Sequence, residues 1–99
     1  MIRHIVIWKL TATDEAGIAE SFGAIRGALE PLAGVIREIQ TLSVSRNSAY
    51  ADVNSDVVLI ADYNSVDDLT AYQVHPEHQK AAAVVKQHVA SRASIDFEI

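Results

Sequence analysis

The sequence predicts an α+β domain with a single four-stranded antiparallel sheet, and three observations carry the prediction. Ile2 to Leu10 and Val57 to Tyr63 are rich in β-branched residues and bounded by polar segments, as strands are. Two other stretches carry apolar residues at helical spacing behind capping residues. Pro76 interrupts the second of them, so that helix stops and restarts.

Taken in order, the first strand carries Ile2, His4, Val6, Trp8 and Leu10 on one face and Arg3, Ile5, Ile7 and Lys9 on the other. Both faces are apolar in the middle, so both need cover. Thr13 or Asp14 then caps a helix running to about Leu29, with Ile18, Phe22, Ile25 and Leu29 as its buried stripe. Pro31 and Gly34 end that unit. Val35 to Arg46 reads as a long second strand, and residues 46–55 as a polar loop. The third strand, Val57 to Tyr63, is again apolar on both sides. Ser65 caps a short helix to about Val74, and Pro76 opens another to about Ala90, with Ala82, Val85 and Val89 among its buried candidates. Ser94 to Ile99 alternates and closes the chain as a fourth strand.

The resulting order, β-α-β-β-α-β, is the ferredoxin-like plan, with helices on one face of the sheet. Helices on one face leave the other bare. Strands apolar on both faces therefore predict a homodimer whose sheets pack face to face.

Composition narrows the function. The chain has 99 residues and reads as one domain, 1–99. Its 8 basic and 13 acidic residues give a net charge of −5, with no basic run, which argues against nucleic acid or an anionic membrane as partner. With no cysteine, disulfides and thiolate chemistry are excluded, and the expected compartment is the cytoplasm. Ile2 to Leu10 is too short to span a bilayer, and no cleavage site follows it. No Gly-rich phosphate loop, Gly-x-Ser-x-Gly elbow or dinucleotide fingerprint occurs.

Chemistry concentrates in Tyr72-Gln-Val-His-Pro-Glu-His78, which holds two of the four histidines. Pro76 suits the first position of a new helix, which makes His75 the N-cap and His78 the third helical residue. The positive end of the helix dipole disfavours an imidazolium at His78, while Glu77 favours it. A neutral His78 is a candidate general base. Tyr72, across the bend, is a candidate donor to a carbonyl or developing oxyanion. His4 shares a strand face with Val6 and Trp8. If that face meets the helices, His4 looks into the same cavity, walled by Val6, Trp8, Phe22, Ile25, Val57 and Leu59, with His75 at its edge. Each group also has a plainer reading. His75 serves as a cap alone, Tyr72 as a core residue, His4 as partner to a carbonyl or to Tyr72, and His88 as a surface residue. His75, Glu77, His78 and His4 are metal-ligand types, but the His pair straddles a helix restart, and neither a metal nor a cofactor is expected.

Ile2-Arg-His-Ile-Val-Ile-Trp-Lys-Leu10, Leu32-Ala-Gly-Val35 and Ala71-Tyr-Gln-Val-His-Pro-Glu-His-Gln79 resemble the Dabb family, the stress-responsive α/β-barrel domains. Ala33 stands where a proline is usual in that family. The resemblance spans nearly the whole chain and implies a ferredoxin-like subunit in a dimeric α/β barrel. One branch, olivetolic acid cyclase, performs cofactor-free aldol chemistry on a polyketide with acid–base residues similar to His4, Tyr72 and His78. That branch has a further His at the position of Val57 and an aromatic at that of Ile25, so the resemblance implies a less polar pocket here. Two functions follow as expectations: cofactor-free lyase, cyclase or isomerase chemistry on a small apolar carbonyl compound, or a non-catalytic, stress-protective homo-oligomer. An open cavity beneath Tyr72 and His78 favours the first; filling of that space by Trp8, Phe22 and Ile25 favours the second.

Overall fold

The computed structural model describes all 99 residues. The elements run β1 (Ile2–Leu10), α1 (Glu15–Leu29), a 3₁₀ helix (Glu30–Gly34), β2 (Thr41–Arg46), β3 (Val57–Tyr63), α2 (Val66–Val74), α3 (Pro76–Lys86) and β4 (Val89–Glu98). The strands form one antiparallel sheet in the order β2-β3-β1-β4, the ferredoxin-like arrangement.

Local chemistry sets the helix starts. The Asp14 carboxylate accepts the Gly17 N–H at 2.9 Å and caps α1. A Cβ on Gly17 would lie 2.6 Å from that carboxylate oxygen, so the cap requires glycine there. Ser65 caps α2 by accepting the Asp68 N–H at 3.1 Å.

Two boundaries differ from the sequence expectation. β2 begins at Thr41, not Val35. Leu32, Ile36 and Ile39 recur at turn spacing and are all buried, and the Val35 and Ile36 N–H groups both bond to the Leu32 carbonyl. The segment thus winds inward before it extends. α3 ends at Lys86 and β4 begins at Val89, several residues before Ser94. The Gln87 and His88 N–H groups close the last turn, and the His88 carbonyl accepts from the Thr11 backbone at 3.0 Å, which pins the chain beside β1. Val89 is therefore a strand residue, half-buried against the core.

The helices cover one sheet face. Val6, Trp8 and Leu10 of β1 and Val57, Leu59, Ala61 and Tyr63 of β3 point into that core, with Ile25 and Leu29 of α1 above them. Ile18 and Phe22 are half-buried at its edge. The opposite face carries Ile5, Ile7, Val58, Ile60, Ile95 and Phe97, brought side by side by the strand register. No helix of the chain is long and apolar enough to cross a membrane.

Candidate active site

The site forms where α2 gives way to α3. Tyr72 lies in the last full turn of α2, 2% exposed, with its ring turned into the core. Pro76 cannot continue that helix, so His75 adopts an extended backbone (φ −63°, ψ 135°). The His75 ring nitrogen Nδ1 accepts the Glu77 N–H at 3.1 Å, which makes His75 the N-cap of α3. One turn of chain then carries His78 back over Tyr72, their ring centroids 4.3 Å apart.

His78 Nδ1 lies 3.0 Å from the Gln73 carbonyl oxygen. A carbonyl only accepts, so the proton sits on Nδ1 and the lone pair on Nε2. Gln79 donates to the same carbonyl at 2.8 Å. Burial lowers the His78 pKa below its ordinary 6.5. The Gln73 bond works the other way, while the nearby His4, Arg92 and His75 reinforce the fall. His78 is thus neutral at pH 7, with Nε2 free to accept a proton.

The floor comes from the sheet. His4 on β1 is buried and faces the helices, and its Nδ1 donates to the carboxylate of Asp96, its register partner on β4. The His4 ring stands edge-on to both Tyr63 and Tyr72 at 6.4 Å. Tyr63 on β3 packs against Tyr72 with centroids 5.2 Å apart. Burial pushes the Tyr72 phenol up to about 12, a rise that Tyr63 and the Arg92 guanidinium oppose. Burial, then Tyr72 and Asp96, raise Tyr63 further still. Both phenols keep their protons across the physiological range and can donate but not ionise.

The two phenols are near enough to bias each other, yet the Tyr63 hydroxyl is buried with no hydrogen-bond partner. Since Tyr63→Phe removes no protein hydrogen bond, it should leave stability unchanged or raise it, as urea midpoints would show; an orphaned buried hydroxyl costs about 1–3 kcal/mol.

The structure brings His4, Tyr72 and His78 together, but the cavity is not the one expected. Val6, Ile25, Val57 and Leu59 are packed into the core, Ile25 at 0% exposure, and none of the four lines the groove that lies beside the histidines. Open space lies to the side instead, where α1 and α3 leave the edge strand β4 uncovered. An apolar groove of about 470 Å³ runs there, lined by Trp8, Leu29, Ala82, Val85 and Arg92 among others. It begins one helical turn from His78, because Ala82 follows His78 on the same face of α3. Of the expected wall residues, Trp8 alone lines it; Phe22 and His75 do not.

Sequence reasoning did not find Tyr63, Asp96 or Arg92. Tyr63 was visible on the inward face of the third strand, at the same end as His4. Asp96 also alternates correctly for that face, but its pairing with His4 spans 92 positions. Arg92 lies outside the strand from Ser94 to Ile99 that the alternation predicts.

No three His, Asp or Glu side chains converge as metal ligands. His75 and His78 each commit Nδ1 to backbone, and His4 commits its own to Asp96.

An antiparallel ferredoxin-like sheet bearing a buried His–Tyr cluster at a helix restart defines a class of small α+β domains. The sequence model of the Stress responsive A/B Barrel Domain, Dabb, matches residues 2–99, and the chain belongs to that family. No curated protein matches it. Among solved structures, it is similar to a dimeric protein of unknown function with a ferredoxin-like fold from Bacteroides fragilis. The two share 26% identity and a TM-score of 0.88, over 99% of this chain and 95% of that one. A dimeric ferredoxin-like protein of unknown function from Thermobifida fusca also shares 26% identity, with a TM-score of 0.80 over 99% and 90% of the two chains. The hydroxynitrile lyase of Passiflora edulis shares the fold at 14% identity, with a TM-score of 0.78 over 99% and 92%.

Proposed function

We propose that the protein binds a small, mostly apolar carbonyl compound beside His78 and transfers a proton on it without a cofactor, as a lyase, cyclase or isomerase does. The observation that carries this is the state of His78: neutral, its Nδ1 proton held by the Gln73 carbonyl, its ring 4.3 Å from a phenol that stays protonated. Nε2 removes a proton from the carbon next to the carbonyl. The C–H electron pair moves toward the carbonyl oxygen, and the Tyr72 hydroxyl donates a hydrogen bond to the enolate oxygen. His4, tied to Asp96, holds the buried end of the cluster in place. The proton on Nε2 then returns to the product. A fold that also serves a hydroxynitrile lyase is compatible with such chemistry.

The protein in this proposal is a cytoplasmic homodimer. Its bare apolar sheet face supports the dimer, as do similar structures described as dimeric. The packing of Val6, Ile25 and Leu59 into the interior favours a second proposal, a non-catalytic structural or stress-protective homo-oligomer.

Hydrogen–deuterium exchange separates the two. In D₂O, 2-octanone and related ketones should lose α-hydrogen signal faster with the protein than without it. His78 must be neutral to act, so the rate should be full near pH 7 and fall only as pH drops below the ordinary imidazole value of 6.5. Tyr72, at about 12, should cause no loss up to pH 10. Absence of exchange across the ketones would leave the non-catalytic proposal standing.

A further inference from the structure

We infer that the groove beside His78 takes an apolar ligand bearing a carboxylate, with Arg92 receiving the acid group and Lys86 adding a second positive charge at the rim. The inference rests on the proposed function in placing the ligand's carbonyl at His78. It extends that proposal by naming the substrate class, an oxo acid with an aliphatic or aromatic body.

The sequence has eight Lys and Arg against 13 Asp and Glu, so carboxylate partners are in excess. Arg3, Lys9, Arg26, Arg37, Arg46 and Lys80 each form an ion pair with one. The two left over are Lys86 and Arg92, and both line the same groove. The side-chain contact of Arg92 is a neutral one, to the Ser94 hydroxyl at 3.3 Å. The rest of the groove is chiefly hydrocarbon, from Trp8, Leu29, Ala82 and Val85.

Two unneutralised cations on an apolar trough in an acidic protein are complementary to one kind of molecule, an amphipathic anion. A guanidinium presents paired donors that match a carboxylate, and a partly dry wall strengthens the match. Arg92 also lies near enough to His78 and Tyr72 for its charge to disfavour protonation of the first and to favour ionisation of the second. One ligand can therefore span both places, with its acid group at Arg92, its body along Trp8 and Val85, and its carbonyl at His78. The volume, about 470 Å³, suits a chain of moderate length.

Trp8 is the single tryptophan and lines the groove, so its fluorescence reads occupancy directly. The test titrates the full chain with octanoate and with octanamide, which keeps the body and removes the charge. Octanoate should bind about tenfold or more tightly, the usual worth of a charge-assisted contact. Arg92→Gln should abolish that preference by weakening octanoate alone, and Arg92→Lys should restore part of it. Lys86→Gln should reduce it less. Lys80→Gln, whose ammonium pairs with Glu77 outside the groove, should leave it unchanged. Equal binding of acid and amide, binding of neither, or an undiminished preference in Arg92→Gln would overturn the inference.

The outcomes also separate this inference from the proposal beneath it. His78→Ala should keep the octanoate preference. A protein that selects octanoate through Arg92 yet exchanges no protons refutes the proposed catalysis and leaves the anion site intact. Exchange of 2-octanone without any carboxylate preference does the reverse.

Discussion

His78→Ala is expected to lower the α-proton exchange rate by about 10²–10⁴-fold, the usual contribution of a positioned general base. The fold should survive. His78 is half-buried at the first turn of α3, and the Gln73 carbonyl it engages keeps the Gln79 amide as a partner. No buried acceptor is orphaned, so the melting temperature should stay close to wild type. Tyr72→Phe should also slow exchange, but with ligand affinity nearly unchanged, because the phenol's hydrogen bond strengthens as charge develops on the oxygen. Its ring stays, preserving the packing against Tyr63 and His78. Wild-type exchange in His78→Ala would remove the imidazole from the chemistry.

Ile95→Asp is expected to convert a homodimer to monomer while leaving the subunit folded. The reason is the bare sheet face. Ile95 of β4 sits opposite Ile5, which in turn sits opposite Ile60 of β3, and Phe97 and Ile7 lie in the adjoining rows. In the single chain Ile95 is 60% exposed and Phe97 39%, so a carboxylate at 95 meets water and costs the subunit little. Packed against a second sheet, the same carboxylate would be buried without a partner, at a cost of several kcal/mol. Ile7→Asp sits deeper in the patch, at 38% exposed, and should dissociate the dimer at least as strongly. Light scattering at micromolar concentration distinguishes the forms. A wild-type protein that runs as a stable monomer would refute the dimer.

Much of this was legible in the chain. The order of strands and helices follows from local periodicity, and the family resemblance on the β1 and Tyr72–His78 segments is borne out by the match over residues 2–99. His75 as cap and His78 in the first turn of α3 follow from Pro76, because a proline's missing N–H and locked φ act on its immediate neighbours. His4 facing the helices follows from the alternation it shares with Val6 and Trp8. The misplaced boundaries have the same origin as the successes. Val35 and Ile36 have strand-like side chains, but burial of Leu32, Ile36 and Ile39 together overrides that preference. Val89 fits a helical stripe locally, yet the Thr11–His88 contact draws it into the sheet.

The sequence by itself determined the class of fold, the helix break, and the strand face that His4 shares with Val6 and Trp8, because caps, prolines and alternation act over a few residues. Only the tertiary structure decided which groups join His4, Tyr72 and His78. Asp96 reaches His4 through strand pairing across most of the chain, and Tyr63 meets Tyr72 where α2 packs back on β3. It also decided where the open space lies. Side-chain volume fills the interior around Ile25, whereas the helices end short of the edge strand and leave a groove over Trp8 and Arg92. Such a groove depends on how much sheet the helices cover, a property of packed elements that no stretch of neighbouring residues encodes.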